Sequence, residues 1–507
     1  MTQREDADGD VYPVHIFDNL KLRRIFVARV LHFNDVLDAG KLQSSLTRLL
    51  EIGDWRKLGG LCVEAVDDKH KANLEIHVPK RFTAAEPAFT FAHNDMTRTS
   101  IHDHPTLSRL HPSSAAHAAI LPVPKGKPPF AAPAGYPTTV DEMIRRRLPQ
   151  LLVYTTSFRD ATLVSVVWPH TVSDACGVLH LLRNWSLVVG GRQDHVSSML
   201  GARSDIIVES DKAEPVEDRE PLGLETWRLS GWPMVKWIAR FAWRWARSPP
   251  VEPRTVFVPR DAMAALLARI QAEVAAMPTH AGAATFASEG DMLTAWIVHT
   301  ISASEGCKRP MAVSAFYNMR PRLPRAADGG VYVQNMLALT FALVTAAELR
   351  GPVGPVAVTH RRHVARQTTP AQVRSFARTQ RRDVEATGSL RLLFGDAAAD
   401  PILVNNFLKA GFLTEVDFGA AVVRTGDAAR ERSNPPGTAV AYDYDVDSPP
   451  LRRLMTFYML GKDHAGNYWF QGNLRARAWD EMETRLTELG AGPVGGKTAD
   501  GSCTMLY

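Results

Sequence analysis

The chain has 507 residues, of which 45% are hydrophobic and 22% charged, which is typical of a soluble globular protein and predicts two domains. Its net charge of +5 is too small for a dedicated nucleic-acid-binding protein, although a modest positive field suits an anionic substrate. No apolar run approaches the ~20 residues that cross a membrane, and the charged start MTQREDADGD lacks the apolar core of a signal peptide. We therefore expect a cytoplasmic protein.

Local patterns predict the first elements of the chain. Leucines recur at helical spacing over residues 42–50, and Asp38 precedes them as a helix cap. Two strand-like runs over 150–168, separated by Arg159–Asp160, predict a β-hairpin. A helix over 175–189 follows and ends at a pair of glycines.

The segment 85–140 is rich in Ala, Pro, His and Ser, and this composition predicts a long irregular excursion that walls a substrate pocket. Five histidines in it raise the question of a metal site. Their spacing fits no standard ligand pattern, and carboxylates are sparse, so we predict no bound metal. These histidines are His93, His102, His104, His111 and His117.

The most informative stretch is LVSVVWPHTVSDACG at 163–177, where an apolar strand gives way to a helix. His170 lies at this junction and Asp174 lies four residues later. A strand end is a rigid platform beside an open loop, which makes His170 a candidate general base. Chance alone gives roughly two such His-x-x-x-acid pairs in a chain of this composition. Asp174 is also explained as the N-cap of a helix that begins at Ala175.

The cysteines predict no disulfide framework, metal site or nucleophile that would replace His170 as the reactive group. Four are present, far apart and without CxxC spacing, so they predict neither a disulfide framework nor a zinc site. Cys176 is near His170, and a Cys–His nucleophile is conceivable, but we favour a small apolar residue at the start of a helix. The other cysteines are Cys62, Cys307 and Cys503.

Residues 227–245 contain five of the 11 tryptophans and predict an amphipathic helix from Pro233. One face is apolar and the other is cationic. A helix of this kind can lie on a membrane surface. We expect instead that its apolar face packs on the junction between domains. The two faces are Met234, Ile238, Phe241 and Trp245, and Lys236, Arg240, Arg244 and Arg247.

Strands and helices alternate in the second half as in the first, without the glycine motif of a Rossmann or P-loop fold. Ser288 and Asp291 form a predicted capping box at the start of one helix. We expect two α/β sandwich domains of similar build. Their predicted limits are 1–215 and 254–507, joined by a crossover at 216–253.

The stretch at His170 resembles the HxxxD(G) signature of the BAHD-type acyl-CoA-dependent acyltransferases. Other segments match that family in the same order: Ser288–Trp296 is similar to its S-x-x-D helix, Asn318–Pro324 to NxRxR, and Asn335 to an Asn of the family. Asp417–Ala421, read as DFGAA, resembles DFGWG with two alanine replacements. With these two replacements, the segment resembles that of the fungal trichothecene O-acetyltransferase-like branch of the family.

The resemblance implies the chloramphenicol acetyltransferase-like fold, with the active site in a tunnel between two domains. It implies acyl transfer from acyl-CoA, as co-substrate without a bound cofactor, to a hydroxyl or amine of a small secondary metabolite. His170 would be the general base. An ion pair between Asp174 and Arg320 is expected. The structural supports implied by the family are Asp174, Gly177, Arg320, Asp417 and Gly419.

Asn406 is a candidate donor to the oxyanion, with a capped strand end as the alternative. We assign no residue to the CoA phosphates and expect a monomer. Two other functions stay open. A condensation-type synthase with a carrier-bound donor uses His-His-x-x-x-Asp, but Pro169 precedes His170 here. A non-catalytic, ligand-binding member of the family is supported only by the altered DFGAA segment.

Overall fold

The computed structural model describes residues 9–66, 72–109, 116–123, 130–278, 285–323, 329–426, 432–446 and 454–490. His111, Pro324 and Cys503, which belong to predicted features, lie outside these residues. None of the helices in the described ranges has both the length and the apolar composition needed to cross a bilayer.

The first half of the chain alternates short strands with helices. Its elements are β1 (Gly9–Pro13), β2 (Phe26–Phe33), β3 (Asp35–Leu37), α1 (Ala39–Leu49), β4 (Leu61–Val66), β5 (Ala72–Pro79), β6 (Thr90–Met96), β7 (Ala119–Pro122), α2 (Val140–Arg145), β8 (Leu152–Phe158), β9 (Thr162–Pro169), α3 (Ala175–Val189), β10 (Ser198–Leu200), α4 (Ile206–Ala213) and α5 (Gly231–Arg247).

The second half has the same mixed character. Its elements are β11 (Glu252–Val258), α6 (Arg260–Ala275), α7 (Glu289–Ala303), β12 (Met311–Asn318), β13 (Gly330–Tyr332), β14 (Leu337–Val344), α8 (Val353–Gln367), α9 (Pro370–Thr387), β15 (Asp400–Asn406), β16 (Val422–Thr425), β17 (Ala439–Val446), β18 (Thr456–Lys462), β19 (Tyr468–Leu474) and α10 (Ala476–Gly490).

Two large sheets organise these elements. The first unit is a five-stranded sheet in the order β17-β2-β9-β8-β6, and the second unit is a seven-stranded sheet in the order β14-β12-β15-β18-β19-β11-β7. Helices α1 and α3 pack in the core of the first sheet, and α6, α7, α8 and α10 pack in the core of the second. Both sheets bury apolar side chains against helices, which confirms the predicted class of two α/β units.

Each unit takes an edge strand from the other half of the chain. β7 of the first half pairs with β11 at the edge of the second sheet, and β17 of the second half pairs with β2 at the edge of the first. The sheets therefore extend across the limits predicted at 215 and 254. Pairing satisfies backbone groups that an open edge would leave exposed, so the exchange ties the units together.

The predicted hairpin is present as β8 and β9, with Ser157 opposite Thr162. β9 lies between β2 and β8, and all of its residues are buried, which explains its continuous apolar sequence. The predicted caps are also present. Asp38 accepts a hydrogen bond from the first turn of α1, and Ser288 with Asp291 forms the capping box of α7.

The expectation of an irregular excursion over 85–140 is wrong in part. Residues of β6 pair in parallel with β8, and β7 joins the second sheet. The polar, half-exposed side chains of β6 hid an edge strand from a search for apolar alternation. His93 in this strand contacts the Ser157 hydroxyl at 3.0 Å. Within the described ranges, no group of three or more potential ligands is arranged around a metal position.

Helix α5 begins at Gly231 rather than at Pro233, and its packing departs from the expectation in part: Met234 and Phe241 are half-buried, but Ile238 and Trp245 are exposed. None of its residues is fully buried. Trp232 and Trp243 are 65% and 60% exposed. Arg244, in contrast, points inward and pairs with the carboxylate of Asp400, the first residue of β15. Met234, Trp237 and Phe241 are half-buried on the same side as Arg244, so apolar contacts and ion pairs both attach this helix. The buried Asp400 requires a cation.

Candidate active site

His170 is held at the end of β9 by both units. Its backbone N–H donates to the carbonyl oxygen of Ile25, the residue before β2, at 2.8 Å. Its own carbonyl oxygen accepts a hydrogen bond from the Asn335 side-chain amide, also at 2.8 Å. With both backbone groups bound, the residue has a fixed position, and only its half-buried imidazole is left for chemistry.

The surroundings keep the imidazole of His170 neutral. Burial, followed by the positive charge of Arg23, lowers the pKa of His170 from 6.5 to about 4, against smaller opposing effects of Asp174 and Asn335. The Nδ1 atom has no hydrogen-bond partner among the described residues. A neutral imidazole is the form that accepts a proton, so this geometry suits a general base.

Asp174 supports the loop rather than carrying a proton. One carboxylate oxygen accepts from the backbone N–H of Gly177 at 2.9 Å, which caps α3, and the other accepts from the N–H of Met336 at 2.7 Å. Burial by itself raises the pKa of Asp174, but Arg320 and these two N–H groups outweigh it and lower the pKa overall. The group is therefore a buried carboxylate with three hydrogen bonds.

Arg320 is the partner of Asp174, as expected from the sequence, with Nη2 3.0 Å from the carboxylate. The same guanidinium donates to the carbonyl oxygens of Tyr332 at 2.8 Å and Gln334 at 2.6 Å. Asn318, in the same segment, accepts from Arg320 at 3.3 Å. One arginine thus joins the helix after His170 to the loop that carries Asn335.

Gly177 is required by close packing. A Cβ atom at this position would lie 1.8 Å from the carbonyl oxygen of Val333 and 2.3 Å from the Ser173 hydroxyl oxygen. The Ser173 hydroxyl already donates to that carbonyl at 2.7 Å. Backbone atoms of the two halves meet here, so no larger residue fits.

Asp18 is a member of the site that the sequence analysis missed. Its carboxylate accepts from the backbone N–H of Asn335 at 3.0 Å and from the Asn335 side chain. Burial raises the pKa of Asp18 to about 7, although Arg23 and Asn335 oppose the rise. Asp18 and Asn335 are 317 positions apart, so no local pattern points to this contact.

Arg29 is a second residue without a sequence signal. Its side chain is 1% exposed, and its guanidinium nitrogens have no hydrogen-bond partner in the described part of the chain. The guanidinium lies 3.3 Å from the ring centre of Phe412 and 4.6 Å from that of Tyr442. Aromatic faces of the first unit's core, rather than a carboxylate, therefore surround this charge.

The altered DFGAA segment lies elsewhere in the first unit. Asp417 is exposed, and its carboxylate accepts from the N–H of Gly419 at 2.7 Å. The Asp417 N–H donates to the Ser186 hydroxyl of α3 at 3.0 Å. Phe418 is buried, with its ring centre 4.7 Å from that of Trp185. The segment thus contacts α3, and the carbonyl oxygens of Ala420 and Ala421 accept hydrogen bonds from the start of α1. No described hydrogen bond joins it to His170.

Asn406 ends β15 and is exposed. Its side-chain oxygen accepts from the N–H of Leu408 at 2.9 Å, and its amide nitrogen lies against Gly290 in the first turn of α7. This geometry corresponds to the strand-end alternative. The role of Asn406 toward an oxyanion stays a prediction.

Cys176 is a poor nucleophile in this setting. Burial, reinforced by the negative charge of Asp174, raises the pKa of the Cys176 thiol to about 11. The thiolate is the reactive form, so the group is inert at neutral pH.

Comparison with known proteins finds full-length relatives, although no protein-family model matches the sequence. The O-acetyltransferase PaAT-2 of Phomopsis amygdali is 30% identical, covering 96% of this chain and 100% of that protein. The acetyltransferase BOT5 of Botryotinia fuckeliana is 29% identical, covering 95% of this chain and 91% of that protein.

Among solved structures, TRI101 of F. sporotrichioides, complexed with coenzyme A and T-2, has a similar fold. Its TM-score is 0.65 at 16% identity, covering 94% of this chain and 98% of that one. At this identity the likeness concerns the fold alone, and it agrees with the two-unit architecture described above.

Proposed function

The chain belongs to the family of these fungal acetyltransferases, and we propose that it is a BAHD-type acyl-CoA-dependent acyltransferase of the trichothecene O-acetyltransferase-like branch, with His170 as the general base of its acyl transfer. The substrates are acyl-CoA and a hydroxyl group of a small secondary metabolite. The observation that carries the assignment is the neutral, half-buried imidazole of His170, fixed at a strand end by Ile25 and Asn335.

The proposed reaction needs one proton carrier. His170 removes the proton of the acceptor hydroxyl as the oxygen attacks the thioester carbonyl. The tetrahedral intermediate then collapses, the carbon–sulfur bond breaks, and the imidazolium returns the proton to the CoA thiolate. The products are the ester and free CoA. No covalent enzyme intermediate forms, which agrees with the inert thiol of Cys176.

The other site residues act on position. Asp174 and Arg320 hold the helix that follows His170, and Gly177 permits the close approach of the Val333 backbone. Asn335 ties this loop to the His170 carbonyl. A base that is held within a fraction of an ångström of its productive geometry accelerates the reaction far more than a base on a free loop.

We propose the cytoplasm as the compartment and a monomer as the active form. The described cysteines are all free thiols, which supports a reducing environment: Cys62, Cys176 and Cys307. The alternative of a condensation-type synthase lacks support in the motif, because Pro169 stands where that class has its first histidine.

The test is thiol release from a panel of acyl-CoAs (acetyl, malonyl, medium-chain and aromatic), with and without candidate alcohols and amines. We expect acceptor-dependent release that falls by at least about 100-fold in His170→Ala, within the range that general base catalysis supplies. His299→Ala is the matched control, because His299 is also half-buried with a lowered pKa but lies in α7 of the second unit. Near-normal turnover in a folded His170→Ala protein would disprove the assignment.

A further inference from the structure

The outer face of α5 is an apolar surface turned toward solvent. Exposed fractions are 65% for Trp232, 47% for Val235, 48% for Ile238 and 60% for Trp243. Exposed alanines of the same helix lie between these side chains. We define the outer face of α5 as these residues at helical spacing: Trp232, Val235, Ile238, Ala239, Ala242, Trp243 and Ala246.

The opposite side of α5 faces the protein and carries two half-buried arginines beside three half-buried apolar side chains, Met234, Trp237 and Phe241. Arg240 donates to the carbonyl oxygen of Ala399, and Arg244 pairs with Asp400 and, at 3.0 Å, with Glu305. A helix on the surface of a globular protein usually buries its apolar side and exposes its charges. In α5, two arginines are turned inward and a second set of apolar side chains is left exposed on the outer side, where a bilayer or another protein can contact it.

Two further cations border the outer face. The Lys236 ammonium lies 5.7 Å from the ring centre of Trp232, and the Arg247 guanidinium lies 3.9 Å from that of Trp243. The helix sequence GWPMVKWIARFAWRWAR contains no acidic residue. Tryptophan rings beside Lys or Arg are typical of helices that lie in the headgroup region of a bilayer.

A basic groove continues this surface beyond the C-terminal end of α5. Its volume is about 610 Å³, and cations outnumber its two carboxylates, Asp400 and Glu305. A groove with this charge suits phosphate-bearing headgroups. The cations that line it are Arg244, Arg247, Lys308, Arg309, Arg475 and Arg477.

This surface is remote from the active site along the second sheet. The groove contains Met311 and Asp400, the first residues of the parallel strands β12 and β15. Asn318, the last residue of β12, contacts Arg320 in the support of His170. The two sites therefore lie at opposite ends of these strands, and a protein docked through α5 keeps its active site free.

We infer that the outer face of α5 and the basic groove form a docking surface for an anionic lipid bilayer. The apolar side chains enter the interfacial region while Lys236, Arg247 and the groove bind lipid phosphates. A second copy of the chain is a poorer occupant. A symmetric contact would bring Lys236 and Arg247 of two copies together without an acidic residue on either helix.

The test is sedimentation of the full chain with sucrose-loaded vesicles of phosphatidylcholine, with or without phosphatidylserine. We expect binding to the anionic vesicles that weakens as salt is added. The double variant Trp232→Ser/Trp243→Ser should lower the partition coefficient by at least about tenfold. Phe286→Ser is the matched control, because Phe286 is 62% exposed outside α5 and should not matter.

The contribution of the cations to vesicle binding is tested with separate variants. Lys236→Gln and Arg247→Gln should each lower the binding to anionic vesicles by about fivefold, the usual effect of one basic residue near such a surface. Arg269→Gln, at an exposed position of α6, is the control for charge alone. Turnover of a water-soluble acceptor without vesicles should be unchanged in all of these variants, which shows that they are folded.

Three outcomes would overturn the inference. The wild-type chain stays in the supernatant with anionic vesicles, the double tryptophan variant binds as well as wild type, or α5 mediates self-association instead. The last outcome would appear in equilibrium sedimentation without lipid as a dimer that the tryptophan variant abolishes.

Discussion

The side-chain amide of Asn335 donates a hydrogen bond to the backbone carbonyl oxygen of His170 at 2.8 Å, across 165 positions of sequence. The same amide, together with its backbone N–H, binds the buried carboxylate of Asp18. A loop between β13 and β14 thereby sets the position of the residue at the end of β9. The site is assembled from both halves of the chain.

Replacement of Asn335 should therefore affect both turnover and stability. In Asn335→Ala we expect kcat to fall by about 10- to 100-fold, because the imidazole loses its fixed position. The free energy of unfolding should fall by about 1–3 kcal/mol, because the Asp18 carboxylate loses a buried partner. Steady-state kinetics and urea unfolding measure the two effects. An unchanged kcat would show that Asn335 does not position the base.

The ion pair between Asp174 and Arg320 predicts strong non-additivity. Asp174→Asn and Arg320→Met should each lower the free energy of unfolding by about 3–5 kcal/mol, because each leaves an uncompensated buried charge. The double variant should lose much less than the sum. Additive losses in this double-mutant cycle would mean that the two charges do not interact.

The lowered pKa of His170 predicts the acid limb of the pH–rate profile. Since burial and Arg23 lower the pKa to about 4, kcat/KM should stay level from neutral pH down to about pH 5 and fall below it. The folded pKa is below the unfolded value of 6.5, so the contribution of His170 to stability is complete above pH 6.5 and is lost as the pH falls toward 4. An acid limb of the kcat/KM profile centred near pH 6.5 would show that burial does not lower the pKa of His170.

The close packing at Gly177 predicts that even a methyl group is too large. Gly177→Ala should destabilise the fold by about 1–3 kcal/mol, because the Cβ would overlap the Val333 carbonyl. Gly40→Ala in α1 is the matched control, since the nearest atom, a side-chain oxygen of Asp38, lies 3.3 Å away and alanine favours the helix. Thermal unfolding compares them. Equal melting temperatures would show that the α3–Val333 contact relaxes easily.

Features that depend on neighbours in sequence could be predicted from the sequence. The hairpin of β8 and β9 follows from two apolar runs around a short turn, and it brings His170 to the end of a buried strand. The caps at Asp38, Asp174 and Ser288 follow from side chains that bind N–H groups within three residues. Hydrogen bonds of this range are local, so their residue pattern is visible in the chain.

Features that depend on distant partners needed the folded chain. Asp18 lies in an ordinary polar context, and it joins the site only because folding places it against Asn335. The exchange of β7 and β17 between the sheets depends on which edges are left open, which no single segment records. Periodicity predicted an amphipathic helix at α5, but not which of its side chains contact the protein. The carboxylate of Asp400 favours the observed orientation, because a buried acid draws Arg244 inward while Trp232 and Trp243 face outward.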